Sequence, residues 1–151
     1  MVGRFERFSY AISEISKYWH KLAAEEMAPY GLRAAHSVYL LALAREPGGM
    51  TASQLCEACG KDKGDVSRRM AILEKKALVR KEGGFHNGYG GLFRLTPEGL
   101  AAAEHVKARA SLAVCLAGSG LTEESRAVFY EALDSIVERL QALGREGLPE
   151  T

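Results

Sequence analysis

At 151 residues with 47% hydrophobic side chains, the chain is long enough to bury one core, and a second independent domain is not expected. Its opening MVGRFERFSY holds no apolar run of signal-peptide length, and the longest nearly apolar stretch, 34–44, is too short to cross a bilayer, so a soluble, cytoplasmic protein is expected. Three cysteines make no disulfide framework, and a net charge of +1 names no partner by itself.

Near the N-terminus Phe5, Phe8, Ile12, Ile15, Trp19 and Leu22 recur at spacings of three and four, which predicts one long helix within 1–30 with an apolar seam. A second helix follows over 34–45, with Val38, Leu40 and Leu41 on its apolar side, and Pro47, Gly48 and Gly49 end it. Thr51 and Gln54 then form a T-x-x-Q capping box, with Met50 and Leu55 placed as a hydrophobic staple. Gly60 suits a left-handed helix end. Two residues later Asp62 can cap the next helix, and Asp65 lies in its first turn. Helix, short turn with glycine, helix is the helix-turn-helix arrangement, whose second helix enters the DNA major groove.

The segment 62–79 reads as that second helix. Val66, Met70, Leu73 and Ala77 form its buried stripe, leaving Gly64, Arg68, Ala71 and Lys75 on the opposite face, flanked by Ser67 and Arg69. Between Lys61 and Glu82 eight bases stand against four acids, a local excess of +4 that leaves −3 for the rest of a chain whose total is +1. Attraction for phosphate is thereby concentrated here, although a solvated helix face has the same composition.

On that outer face Arg68 is the candidate for reading a base, since a guanidinium can bond a guanine edge in two places. Lys63 and Ser67 suit either base or phosphate, and Gly64 lets the backbones approach closely. Arg69, Lys75, Arg80 and Lys81 are candidates for phosphate or solvent. Ser53 and Gln54 open the supporting helix near the DNA backbone, unless the capping box consumes Gln54.

Strands are predicted at 78–82 and 92–95, joined by GGFHNGYGG, whose five glycines require an exposed loop. The pair reads as a hairpin wing. Thr96, Pro97 and Glu98 supply an N-cap, a proline at the first helical position and an acid near the positive helix end, for a helix over 97–117 closed by Gly118-Ser119-Gly120. Thr122 with Glu123 and Glu124 opens a last helix within 121–147, whose seam is Phe129, Leu133, Ile136, Leu140 and Leu143. The two terminal seams pack on each other within one chain or on a second copy; apolar surface left on long terminal helices favours the second copy.

DKGDVSRRMAILEKKALVRKE followed by LFRLTPEGL resembles the MarR family of bacterial transcriptional regulators, and the likeness spans nearly the whole chain. It implies a mainly α fold with a small β-hairpin wing: a winged helix-turn-helix lobe (33–95), a connecting helix (97–117), and N- and C-terminal helices (1–30 and 121–147) forming a dimerisation platform. It also implies a homodimer that reads double-stranded promoter DNA, commonly a repressor released by a small effector. No enzyme, cofactor or metal is implied.

The wing departs from the family pattern, which places an Asp-x-Arg pair before the second strand; here Asn87 and Tyr89 stand at those positions. His86, Asn87 and Tyr89 can still donate hydrogen bonds to DNA, but Tyr89 lacks the charge that favours an arginine in the minor groove. Trp19, His20, His36 and Tyr39 occupy the region where family effector pockets form, and such a lining suits a small aromatic or carboxylate effector. Core packing is the competing reading for Trp19 and Tyr39.

Cys56 and Cys59 form a C-x-x-C that supplies only half of a tetrahedral zinc site, and the family usually has small or apolar core residues there. Core packing is the expectation for both, as for Cys115. Two alternative functions remain from other classes: a winged-helix protein-interaction module with degenerate DNA binding, and a thiol- or metal-dependent switch through Cys56 and Cys59.

Overall fold

In a computed structural model describing residues 3–83 and 91–150, the chain runs α1 (Arg4–Met27), a 3-10 turn (Ala28–Tyr30), α2 (His36–Arg45), α3 (Ala52–Cys59), α4 (Lys63–Lys75), β1 (Val79–Glu82), β2 (Leu92–Leu95), α5 (Pro97–Ala117) and α6 (Glu123–Glu146). The chain divides into two compact units, Met1–Ser111 and Leu112–Thr151. No described helix is long and apolar enough to cross a membrane.

The first unit is built around one core. Tyr39, Leu40 and Leu43 from α2, Leu55 from α3 and Val66, Met70 and Leu73 from α4 meet there. Phe93 of β2 and Ala102, Ala103 and Val106 of α5 complete it. Local signals start and stop these helices. Thr51 Oγ1 accepts from Gln54 N at 3.1 Å while Gln54 Oε1 accepts from Thr51 N at 2.9 Å, a complete capping box. Gly60 ends α3 in the left-handed conformation at φ 61°, and Asp62 Oδ1 caps α4 by accepting from Asp65 N at 2.8 Å.

Helix α4 is shorter than the segment 62–79 read from the sequence. It closes at Lys75, and Ala77, assigned to its buried stripe, is instead exposed and left-handed at φ 58°. The reason is the exit into β1: Leu78 N reaches back to Leu73 O at 3.0 Å, and the intervening residue must reverse the backbone. A side chain is strained at that φ, so Ala77→Gly is expected to raise stability by about 0.5–1 kcal/mol in chemical denaturation, with an unchanged slope.

β1 and β2 pair antiparallel with Val79 opposite Leu95 and Glu82 opposite Leu92. Val79 and Phe93 turn inward, while Arg80 and Arg94 stand side by side on the other face and share Glu82, at 3.4 Å and 3.1 Å respectively. That carboxylate offsets the repulsion of two like charges directly opposite in the ladder. Thr96 then ties the hairpin to α5: its hydroxyl donates to Ala77 O at 2.7 Å and accepts from Gly99 N at 3.0 Å. Elsewhere in this unit Glu26 of α1 accepts from Arg109 Nε of α5 at 3.0 Å and lies 2.7 Å from His105 Nε2. The Arg109 bond is the chief reason the Glu26 carboxyl sits below its ordinary range.

Along α1 the whole predicted seam, Phe5 to Leu22, is exposed, and the one groove described on it, among the described residues, is walled by α1 alone. In the second unit, Thr122 caps α6 by accepting from Ser125 N at 3.1 Å, and Arg126 Nη2 donates to Gly118 O at 3.0 Å. Helix α6 buries none of its residues fully; Phe129, Ile136 and Leu140 are exposed, and Leu133 and Leu143 half-buried. Cys115, expected to pack, is exposed on α5.

Candidate nucleic-acid interface

The outward face of α4 is the candidate interface, and its geometry follows from which side the core takes. Val66, Met70 and Leu73 are buried, so the 3.6-residue period turns Lys63, Gly64, Ser67, Arg68, Ala71 and Lys75 to solvent. Earlier in the chain, Ser53 and Gln54 are exposed at the start of α3. The Gln54 carbonyl is consumed by the capping box, which leaves its amide NH2 for any outside acceptor.

Arg68 and Arg69 part company. Both lie beside Asp65, but the Arg68 side chain is 70% exposed and that of Arg69 only 22%. Arg69, a candidate for phosphate or solvent, is thus half-buried against its own helix. His86, Asn87 and Tyr89 lie outside the described residues.

Beneath α4 lies a polar cluster that sequence reading did not assemble. Tyr39, fully buried on α2, donates its phenol hydrogen to Asp65 Oδ2 at 2.5 Å. Burial and this bond push the phenol pKa up, while the same bond, ahead of the nearby Arg69, Lys61 and Arg68 charges, holds the Asp65 carboxyl below its usual range. One signal was available: a tyrosine on the buried face of a helix needs a partner for its hydroxyl.

His36, also in this cluster, places Nδ1 3.0 Å from Arg33 N and 3.2 Å from Arg33 O, and the other ring nitrogen is Nε2. That nitrogen is buried with no hydrogen-bond partner among the described residues. Burial, and secondarily the Arg69 charge, lower the His36 pKa from its ordinary value. Because the folded value is depressed, its contribution to stability is complete above the unfolded pKa of about 6.5 and is lost as pH falls from there through the folded value. Asp65 and Glu26, also depressed, add their loss only below about pH 4. His36→Gln is therefore expected to show a smaller fall in melting temperature between about pH 7 and 5 than the unaltered chain.

The four residues proposed as an effector lining differ in exposure. His36 and Tyr39 are in the core, while Trp19 and His20 are on the exposed surface of α1. Cys56 and Cys59 pack half-buried against the core, as expected; the Cys59 thiol reaches toward Val38 O at 3.8 Å, and burial pushes its pKa up, away from the reactive thiolate.

The model of the MarR family matches residues 30–84. No curated protein matches the chain. Among solved structures, a MarR transcriptional regulator from Methanosarcina mazei Go1 is 22% identical with a TM-score of 0.80, covering 91% of this chain and 99% of that one. A MarR-family regulator from Listeria monocytogenes, solved with a 26mer DNA, is 19% identical with a TM-score of 0.80, over 100% of this chain and 99% of that one. The reduced form of MarR from E. coli is 20% identical with a TM-score of 0.71, over 90% and 97% respectively. Through residues 30–84 the chain carries the MarR family's sequence signature, and over nearly its whole length it has the winged-helix fold of the MarR regulators.

Proposed function

We propose that the chain is a homodimeric, sequence-specific double-stranded-DNA-binding transcriptional regulator and no enzyme. The observation that carries this reading is the outward face of α4, where Lys63, Gly64, Ser67 and Arg68 stand exposed on a rigid helix held by the α3–turn–α4 packing. Such a face offers cations for phosphate and a guanidinium for a guanine edge. The DNA in the Listeria structure supports the same reading by likeness of fold.

Dimerisation rests on the two exposed apolar stripes, Phe5 to Leu22 on α1 and Phe129 to Leu140 on α6, which water would otherwise cover. Repression relieved by a small aromatic or carboxylate effector completes the proposal. Trp19 and His20 are the members of the expected lining that a ligand can reach without opening the core.

Selection of bound fragments from a genomic library, followed by competition at rising salt, tests the reading. Enrichment of a common, pseudo-palindromic motif whose affinity falls steeply with salt is expected. Recovery of no enriched sequence, or of binding indifferent to salt, would overturn it.

A further inference from the structure

The carboxylate of Asp65 sits in the first turn of the helix proposed to read DNA, with its side chain 18% exposed. Its Oδ1 lies 3.5 Å from Arg69 Nε and 3.7 Å from Arg68 Nη2, while its Oδ2 is bound by the buried Tyr39 hydroxyl. The Arg68 guanidinium is folded back over this turn: a Cβ built on Gly64 would stand 3.2 Å from Arg68 Nη1. Tyr39 is anchored in the core of α2, so Asp65 cannot follow an arginine that leaves it. Its backbone N–H is fixed as well, by the Asp62 cap.

From this arrangement we infer that Asp65, clamped by Tyr39, is a specificity-determining residue that holds Arg68 off the phosphate backbone and releases it to a bidentate base edge. The inference rests on the proposed DNA-binding function. The physical argument is a competition. A phosphate offers Arg68 one more anionic partner, at the cost of bringing phosphate close to Asp65, so contact with the backbone alone gains little. A guanine edge offers two neutral acceptors in the fork geometry of the guanidinium and carries no charge to be repelled. Specificity then comes partly from weakening the wrong complex. Neither residue is a contact in its own right: Tyr39 positions Asp65, and Asp65 positions Arg68.

The test compares the unaltered chain, Asp65→Asn and Tyr39→Phe on a random-sequence duplex and on a selected fragment, between about 50 and 200 mM salt. Asp65→Asn keeps an acceptor for Tyr39 and removes the charge. It is expected to tighten random-duplex binding by about two- to fivefold at low salt, to steepen the slope of log K against log salt by about one contact, and to lower the ratio of selected to random affinity. Tyr39→Phe is expected to move all three in the same direction by less. A purely structural role would weaken both complexes together and leave the slope alone.

If the unaltered chain binds DNA and neither variant changes slope or ratio, the inference is overturned while the proposed function stands. Absence of DNA binding by the unaltered chain overturns both. Should Asp65→Asn fail to fold, an unchanged slope and ratio in folded Tyr39→Phe is sufficient to reject the inference.

Discussion

Substitution Gly99→Ala is expected to cost about 3 kcal/mol and to lower the melting temperature by roughly 10 °C. A Cβ at Gly99 would stand 1.9 Å from Leu78 O and 2.9 Å from Leu78 C, contacts with backbone that cannot rotate away. Leu78 O is itself fixed, accepting from Thr96 N at 3.0 Å, and the Thr96 hydroxyl bonds both Ala77 O and Gly99 N. The added methyl must therefore push α5 from the end of β1, breaking these bonds and opening the core around Ala102, Ala103 and Val106. Against a total stability of about 5–15 kcal/mol, the loss is a large share. Thermal unfolding followed by circular dichroism measures it. A melting temperature within about 2 °C of the original would mean that α5 can slide, contrary to the packing described.

The second large effect concerns recognition. Arg68→Ala is expected to cost about 1–3 kcal/mol in binding to a selected fragment and clearly less on random duplex, so that the ratio between them falls by about tenfold. Lys75→Ala, on the same exposed face, is expected to weaken both equally and by less, as loss of a phosphate contact does. Equilibrium anisotropy at fixed salt separates the two behaviours. Equal losses for Arg68→Ala on both duplexes would assign Arg68 to phosphate.

What was legible in the sequence is local. The Thr51–Gln54 box, the Gly60 turn, the Asp62 and Thr122 caps and the Thr96–Pro97 helix start all depend on residues three or four apart, and each occurs where the pattern put it. The outward face of α4 was legible for the same reason, because Val66, Met70 and Leu73 fix its period. Distance along the chain hid the rest. The Tyr39–Asp65 bond joins residues 26 apart, and periodicity carries no information about such a pair.

Arg69 illustrates the consequence. A step of one residue on a helix turns the side chain by about 100°, and from Arg68 to Arg69 that turns the second toward Asp65 and half out of solvent. Ala77 was misread because the apolar stripe continues through it by type; the backbone reversal needed to reach β1 overrides the stripe. The Gly99 contact was hidden likewise, since a backbone approach leaves no trace in the pattern of side chains beyond the glycine itself.

Under the proposed function, two copies of this chain present two α4 helices to one duplex. Footprinting a selected fragment while titrating the protein tests that most directly. Protection of two half-sites about 10–10.5 base pairs apart, or a multiple of that, is expected, appearing together at one protein concentration and lost together in Arg68→Ala. A single protected half-site saturating with one chain, or no protection at any concentration in low salt, would contradict it.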